Sequence, residues 1–273
     1  MIGAKNPSLS VPSKHQARAL KLCMLASGSK GNAIYVSNGD TSILIDAGLT
    51  GVEIERRMAS RNISVSELTA IIVSHEHSDH IRGVGVLARK HDLPVFISAK
   101  TKCAAAAHLG RIDSVSLFSC GSAFSIDGLR IHPFSTSHDA DDPVGFTIQC
   151  EKQKIGIATD LGVATAMVQE HLKGCGCIVL EANHDLKMLE EGPYPWPLKQ
   201  RIRSRIGHLS NESSRELLMD VLHDELRHVV LAHLSETNNT PEKALNVVTG
   251  RLNRHRPHLS VALQHITGPM ICL

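Results

Sequence analysis

Residues 70–80 read Ala-Ile-Ile-Val-Ser-His-Glu-His-Ser-Asp-His, an apolar run that leads directly into four potential metal ligands. The apolar start predicts a buried strand. Side chains two positions apart on an extended chain point the same way, so His75 and His77 can bind one metal ion. Asp79 and His80 point elsewhere if they open the helix that follows, and they can bind a second ion. The segment therefore predicts half of a dinuclear metal site.

Three other strand-like runs also stop at a ligand-type residue, namely His138, Asp160 and His233. Polar residues at strand ends collect on loops at the rim of a sheet, where sites are commonly built. Imidazole and carboxylate ligands without thiolate suit Zn²⁺, Mn²⁺ or Fe²⁺, and their spacing does not choose among these ions. Two such ions sharing a bridging hydroxide would promote an in-line phosphoryl displacement.

Apolar runs separated by turn signals predict strands that alternate with helices. Strands are predicted at 20–25, 33–37, 42–46, 70–73, 94–97, 129–134, 144–150, 154–159, 178–181 and 228–232. Helices are predicted at 52–60, 81–91, 101–109, 161–172, 211–226 and 241–254. Two sheets packed face to face fit this order, and a doubly wound parallel sheet is the alternative. The early hairpins, with Asn38-Gly39 at one turn, disfavour the alternative.

Composition is that of a folded chain, with 273 residues of which 42% are hydrophobic and 21% charged. The polar segment 1–19 predicts a flexible N-terminal arm without a signal peptide's apolar core, and 20–273 predicts a single domain. No apolar run reaches the roughly 20 residues of a membrane span. Seven scattered cysteines, an odd number, favour reduced thiols and a cytoplasmic location.

The order of these motifs resembles the metallo-β-lactamase-fold hydrolases, which carry an HxHxDH loop, then a single His, a single Asp and a final His. The resemblance implies an α/β fold, a four-layer αββα sandwich of two mixed sheets with helices outside. It also implies that a first ion is held by His75, His77 and His138. A second ion would be held by Asp79, His80 and His233, and Asp160 would bridge the two ions.

Two later stretches narrow the resemblance. Glu181-Ala-Asn-His-Asp and Gly207-His-Leu-Ser are similar to motifs of the transfer-RNA 3′-processing branch. Other stretches resemble the YycJ (WalJ) group of bacterial metallohydrolases: Leu25-Ala-Ser-Gly-Ser, Asp46-Ala-Gly-Leu, His138-Asp-Ala-Asp-Asp-Pro-Val-Gly, Ala158-Thr-Asp-Leu-Gly and Tyr194-Pro-Trp. This likeness covers about residues 21–240 and implies a metal-dependent DNA exonuclease that acts from the 5′ end.

The same resemblance suggests catalytic roles beyond the ligands. With Asp79 at the metals, Glu181 and His208 are expected to form an acid pair, in which His208 protonates the leaving oxygen and Glu181 orients its ring. The alternative is that His208 caps the helix that begins near residue 211. Asp46 resembles the family's buried Asp behind the metal loop and is expected to brace that loop rather than to bind metal.

Substrate contacts are predicted from a basic run over residues 199–205, which holds four cations in seven positions. Such runs are commonly solvated helix faces, but beside a phosphodiesterase centre Lys199, Arg201 and Arg205 are candidates for binding phosphates. His184 is a further candidate, with a structural hydrogen-bonding role as its alternative. The turn 192–196 could stack on bases or could be a rigid loop, and the tail 251–258 is also basic.

Three classes of function fit these residues. The first is a nuclease that acts on DNA rather than RNA, and this function uses every motif above. Such a protein could form a homo-oligomer. A hydrolase of small esters, thioesters or cyclic phosphodiesters could use the same two ions but needs neither the acid pair nor the basic run. A di-iron redox protein is disfavoured because such relatives replace the second His of the loop with Glu, whereas this chain has His77.

Overall fold

The computed structural model describes residues 19–250, 252 and 257–273, and it consists of two mixed sheets that face each other between helices. The arm predicted over 1–19 lies outside the described residues except for Ala19. Most of the basic tail over 251–258 lies outside them as well.

Seven strands form the first sheet. In chain order they are β1 (Lys21–Ala26), β2 (Ala33–Ser37), β3 (Ser42–Ile45), β4 (Ala70–Ile72), β5 (Val95–Ser98), β6 (Val115–Phe118) and, from the far end of the chain, β14 (Ile271–Cys272). Their order across the sheet is β14-β1-β2-β3-β4-β5-β6. The pairs from β14 to β3 are antiparallel and those from β3 to β6 are parallel, so the sheet is mixed.

The second sheet also has seven strands. They are β7 (Phe124–Ile126), β8 (Leu129–Ser135), β9 (Val144–Cys150), β10 (Gln153–Ala158), β11 (Cys177–Glu181), β12 (His228–Ala232) and β13 (His258–Val261). Their spatial order is β13-β12-β11-β10-β9-β8-β7. Here β10 to β13 pair in parallel and β7 to β10 pair antiparallel.

Helices lie on the outer faces and in the connecting loops. They are α1 (Gly51–Ala59), α2 (Ser78–Ile81), α3 (Val84–His91), α4 (Ala99–Leu109), α5 (Ala166–Leu172), α6 (Leu186–Glu191), α7 (Trp196–Ile202), α8 (Asn211–Val221) and α9 (Pro241–Thr249). Helices α1, α3 and α4 pack on the first sheet, and α5, α8 and α9 pack on the second. Within the described ranges, no helix combines the length and apolarity needed to cross a bilayer.

The alternation of side chains along β4 shows how the layers are held together. Ala70 and Ile72 pack between the sheets, where they share a core with Phe146 of β9, while Ile71 packs towards the helices with Leu87. A strand buried on both faces needs an unbroken apolar run, and residues 70–73 supply one. The predicted αββα sandwich is therefore confirmed, and the doubly wound alternative is wrong.

Strands β3, β10 and β12 each end at a polar residue with left-handed backbone. Asp46, Asp160 and His233 have φ values of 59°, 56° and 55°. Residues other than glycine rarely adopt this conformation, although Asp and His do so more readily than most. Each such residue costs on the order of 1–3 kcal/mol and marks a site that the surrounding structure holds in place.

Candidate metal centre

All seven predicted metal ligands lie together at one end of the two sheets. Ligand-type atoms within 4.8 Å of one another form four overlapping groups: His75, His77 and His138; His75, His80 and Asp160; Asp79, His80 and His233; and Asp160, Glu181, His208 and His233. Most members lie on the loops after β4, β8, β10 and β12 and before α8, whereas Asp79 and His80 lie in α2 and Glu181 is the last residue of β11. Residues far apart in sequence are thus close enough to share ions.

Several ligand-type atoms in this cluster are buried without a hydrogen-bond partner. His75 Nε2, His233 Nε2 and Asp160 Oδ2 form no hydrogen bond within the part of the chain that the structure describes. A buried polar atom left unpaired costs about 1–3 kcal/mol, so the arrangement is unfavourable unless something binds it. Imidazole nitrogens and carboxylate oxygens are ligands of Zn²⁺, Mn²⁺ and Fe²⁺. The residues present therefore fit the pair of divalent ions expected from the sequence.

Hydrogen bonds to the protein orient the imidazoles. In three of them Nδ1–H donates to an oxygen of the protein: His80 to Asp46 (2.7 Å), His233 to Glu181 (3.0 Å) and His138 to Gly207 (3.1 Å). A bond at one ring nitrogen fixes the tautomer and leaves the lone pair on the other. His138 Nε2 lies 3.3 Å from His77 Nδ1, so these two ring nitrogens are close enough to bind one ion.

Asp46 supports the metal loop from behind. Its carboxylate accepts hydrogen bonds from the backbone N–H and the hydroxyl of Ser74, both at 2.8 Å, and from His80. The side chain is buried next to the ligands. These are the contacts that a bracing role requires.

Asn32 is a site residue that the sequence interpretation missed. Its backbone N–H donates to the carbonyl oxygen of Asp79 at 2.7 Å, and its Nδ2 donates to Asp79 Oδ2 at 3.1 Å. The same Nδ2 lies 3.0 Å from His80 Nε2. Gly31 and Asn32 were interpreted only as part of a hairpin turn, although their Gly-Asn pair follows the Leu25-Ala-Ser-Gly-Ser motif.

Glu181 binds two imidazoles with one oxygen. Its Oε1 accepts from His208 Nδ1 at 2.7 Å and from His233 Nδ1 at 3.0 Å. Its Oε2 accepts the backbone N–H groups of Leu161 and Leu209 at 3.0 and 3.3 Å. Although burial favours the neutral acid, the neighbouring His208 and His233 hold the pKa of Glu181 well below its usual value. The carboxylate is therefore ionised and fixes both rings.

The alternative role considered for His208 is not observed, because Ser210 caps α8. The Ser210 hydroxyl accepts the backbone N–H of Ser213 at 3.2 Å. His208 instead lines the cavity above the ligand cluster, with its side chain 20% exposed.

Electrostatics divide the buried histidines into two kinds. Burial, together with the neighbouring His80, His138 and His77, keeps the pKa of His75 well below its usual value, so this ring is neutral. Burial acts in the same direction on His233, but Asp160, Asp79 and Glu181 outweigh it and raise the pKa of His233 well above its usual value. Without metal, His233 therefore retains a second proton that an ion must displace.

A cavity of about 270 Å³ opens above the ligands, and α7 forms one of its walls. Arg201 reaches this cavity from α7, and its Nε donates to Asp139 Oδ2 at 2.6 Å. Asp139 follows His138 directly, so the guanidinium is anchored beside a candidate ligand. Of the predicted phosphate-binding residues, Arg201 is placed at the cavity.

The other predicted substrate contacts lie elsewhere. Lys199 donates to the carbonyl oxygen of Glu190 at 2.7 Å, because two positions along a helix turn a side chain to the opposite side from Arg201. Arg205 follows the end of α7, is exposed and does not line the cavity. His184 is 2% exposed, and burial lowers its pKa to about 4. None of these three residues lines the cavity, and their contact with a substrate stays a prediction.

Comparisons with known proteins agree with this architecture. The family model described as a β-lactamase superfamily domain matches residues 41–234. A Bacillus anthracis protein named exodeoxyribonuclease YycJ is 40% identical over 82% of this chain and 86% of its own length. Exodeoxyribonuclease WalJ of Streptococcus pneumoniae is 37% identical over 85% of this chain and 88% of its own. The crystal structure of the metallo-β-lactamase fold protein YhfI from Bacillus subtilis superimposes with a TM-score of 0.73, at 14% identity, over 93% of this chain and 99% of that one.

Proposed function

The chain belongs to the metallo-β-lactamase-fold family, and from this membership we propose that it is a two-metal phosphodiesterase that degrades DNA from its ends. The observation that carries the proposal is the Glu181–His208 pair, joined at 2.7 Å beside a ligand cluster with unpartnered buried atoms. Hydrolysis of a thioester or lactam by the same ions needs no such pair. A nucleic-acid phosphodiester does, because its leaving alkoxide must be protonated.

We assign seven residues as metal ligands, three for each ion and one shared: His75, His77 and His138; Asp79, His80 and His233; and Asp160. When bound, two divalent ions lower the pKa of water from about 15.7 towards about 7 and polarise the phosphate. Zn²⁺ and Mn²⁺ are the ions that we propose, and the same ligand types also suit Fe²⁺.

The chain's own residues perform the proton transfer. His208 lines the cavity and donates the proton on Nε2 to the departing oxygen, while Glu181 holds its Nδ1–H at 2.7 Å. A positioned general acid of this kind contributes about 10²–10⁴-fold in rate. Arg201, anchored by Asp139, neutralises a phosphate at the mouth of the cavity.

Preference for DNA, attack at ends and 5′ polarity form the finer part of the proposal. Two relatives at 40% and 37% identity are named exodeoxyribonucleases, which supports DNA and exonuclease action. The 5′ polarity rests on the motif resemblance described above.

The test is cleavage by metal-loaded protein of 5′-phosphorylated duplex DNA, single-stranded DNA and RNA, with bis-p-nitrophenyl phosphate and a thioester in parallel. We expect nucleotides to be released progressively from DNA ends. Asp79→Ala should abolish this release, whereas Asp113→Ala, an exposed aspartate paired only with Arg111 in the described structure, should not. Thioester turnover with every nucleic acid left intact would instead assign a small-molecule hydrolase.

A further inference from the structure

Helix α7 separates the catalytic cavity from a second, open groove. This outer groove, of about 420 Å³, is lined by Trp196, Gln200 and Arg203. Resting on the nuclease function proposed above, we propose that the outer groove binds the part of the DNA strand that extends away from the cleaved bond. Trp196 stacks on a base there and Arg203 binds a backbone phosphate.

Helical periodicity gives α7 two working faces. Trp196, Gln200 and Arg203 are four and three residues apart, a spacing that puts them on one side of a helix. Leu198, Arg201 and Ile202 lie on the other side, where they line the catalytic cavity. No residue of α7 is buried, so the helix is a thin wall between two solvent-filled depressions.

Trp196 is exposed in a way that needs an explanation. Its exposed fraction is 62%, although burying a tryptophan is among the most favourable contributions a side chain can make. Pro195 and Pro197 flank it and restrict the backbone on both sides. An aromatic ring exposed to solvent can act as a stacking platform for bases, and such stacking does not depend on base identity.

Charge favours a nucleic-acid strand as the occupant. Residues 193–211 contain four cations and no Asp or Glu, in a chain whose net charge is only +2. Arg201 is paired with Asp139, but Arg203 is exposed and forms no ion pair with any residue that the structure describes. An unpaired guanidinium beside an exposed indole matches a phosphate beside a base.

The outer groove and the cavity begin at neighbouring positions of the chain. Tyr194 lines the cavity and Trp196 lines the outer groove, with Pro195 alone between them in sequence. On this proposal, a strand whose end lies at the ligand cluster passes Tyr194 and the start of α7 to reach Trp196.

The chain offers an unusually clean probe, because Trp196 is its single tryptophan. In the Asp79→Ala background, which does not cleave, we would titrate the protein with a single-stranded oligodeoxynucleotide and with an abasic strand of equal length. Tryptophan fluorescence should be quenched by the first strand and much less by the second, because only the first carries bases to stack.

Variants separate the base contact from the phosphate contact. By anisotropy of labelled DNA, Trp196→Leu should raise Kd about tenfold for the normal strand and leave Kd for the abasic strand nearly unchanged, with Trp196→Phe intermediate. Arg203→Gln should weaken binding of both strands and reduce the salt slope by about one. Arg111→Gln, an exposed arginine on a different loop, is the matched control and should change neither.

The outcomes distinguish this inference from the proposed function. If the native protein cleaves DNA but Trp196 fluorescence and the Trp196→Leu affinities do not respond to bases, the outer groove is not the strand's path and the nuclease proposal stands. If the native protein cleaves no nucleic acid, the proposed function itself fails. If the fluorescence changes with protein concentration and the light-scattering mass rises in the absence of DNA, the outer groove is a contact between copies of this chain, which overturns the inference.

Discussion

Glu181 is the residue on which the two halves of the proposed chemistry meet. One carboxylate oxygen accepts a hydrogen bond from His208, the proposed acid, and another from His233, a proposed ligand. Glu181→Gln and His208→Ala should therefore differ. Losing His208 removes the acid alone, whereas neutralising Glu181 also releases the ring of a ligand.

We expect His208→Ala to lower kcat on DNA by about 10²–10⁴-fold with metal content unchanged. Glu181→Gln should lower kcat similarly and also weaken binding of one ion by about 10–100-fold. Metal analysis of the dialysed proteins, set beside single-turnover rates, measures both effects, and Glu170→Gln at an exposed site is the control. Full turnover by a metal-replete His208→Ala protein would contradict the assignment.

His233 makes metal binding dependent on pH. Its pKa is raised in the metal-free protein, so its favourable contacts contribute stability below pH 6.5, and this contribution is lost as pH rises through the raised pKa. An ion must displace the second proton, so metal affinity should rise with pH until the pH passes the raised pKa of His233, and binding should release protons. Calorimetry at pH 7 in buffers of different ionisation enthalpy measures this release. Identical heats in all buffers would show that His233 is already neutral.

At the scale of elements, the loop after β3 packs tightly against the segment 75–80, which carries the candidate ligands. A Cβ on Gly48 would overlap the carbonyl oxygen of Asp79, a backbone atom that cannot move alone. A Cβ on nearby Gly51 would lie 3.1 Å from a side-chain methyl of Val86, which can adjust. Gly48→Ala should therefore cost about 1–3 kcal/mol in the free energy of unfolding and reduce metal content, whereas Gly51→Ala should do neither. Denaturant melts and metal analysis of the two variants test this difference.

The strands that the sequence predicted well are those buried on both faces. Strands β2, β9 and β12 match the predicted ranges, because a doubly buried strand must be a continuous apolar run. Strand β6 was missed: its residues Val115–Phe118 are mostly half-exposed at the edge of the first sheet, so their pattern is not distinctive. Strand β14 was missed because two residues carry no periodicity.

Some predicted helices were too long because residues near their ends form hydrogen bonds with other segments of the chain instead of helical ones. Helix α5 begins at Ala166, not at 161, because Thr165 caps it. The preceding residues are held elsewhere, with Leu161 N–H bonded to Glu181 and Gly162 N–H bonded to the Ser137 carbonyl. Helix α7 was not predicted, and its residues were interpreted as the turn 192–196 followed by the basic run 199–205. The prolines at 195 and 197 favour a turn as much as the first turn of a helix.

At the scale of the whole molecule, the proposed ions join the two sheets. The cluster from His75 to His80 follows β4 of the first sheet, whereas His138, Asp160 and His233 follow strands of the second. The cluster of candidate ligands was predictable because four ligand-type residues lie within positions 75–80 and three more follow strand-like runs. Asn32 was not, because its hydrogen bonds to Asp79 exist only once the sheet is formed.

Metal removal should consequently destabilise the entire fold. Free metal at 100 times its Kd would stabilise the native state by about 2.7 kcal/mol, which corresponds to a Tm difference of about 5–11 °C. A chelator should lower the Tm of the native chain by that order. Asn tolerates the left-handed backbone, so the Asp160→Asn variant should still fold. Because it lacks the proposed shared ligand, a chelator should lower its Tm much less. Scanning calorimetry with and without chelator measures the change in Tm of both proteins. Equal changes in the two proteins would place the ions away from Asp160.

The left-handed backbone at Asp46, Asp160 and His233 restricts how this centre can evolve. At Asp160 and His233, the two proposed ligands among these residues, selection acts twice: once for an atom that binds metal and once for a residue that tolerates positive φ. Glutamate in place of Asp160 would keep a carboxylate but adopts positive φ less readily. Cysteine in place of His233 would likewise keep an atom that can bind metal but adopts positive φ less readily. His77, with φ of −61° in the extended region, carries no such restriction. If both residues bind metal as proposed, a change of metal preference by exchange of ligand type is therefore more accessible at His77 than at His233.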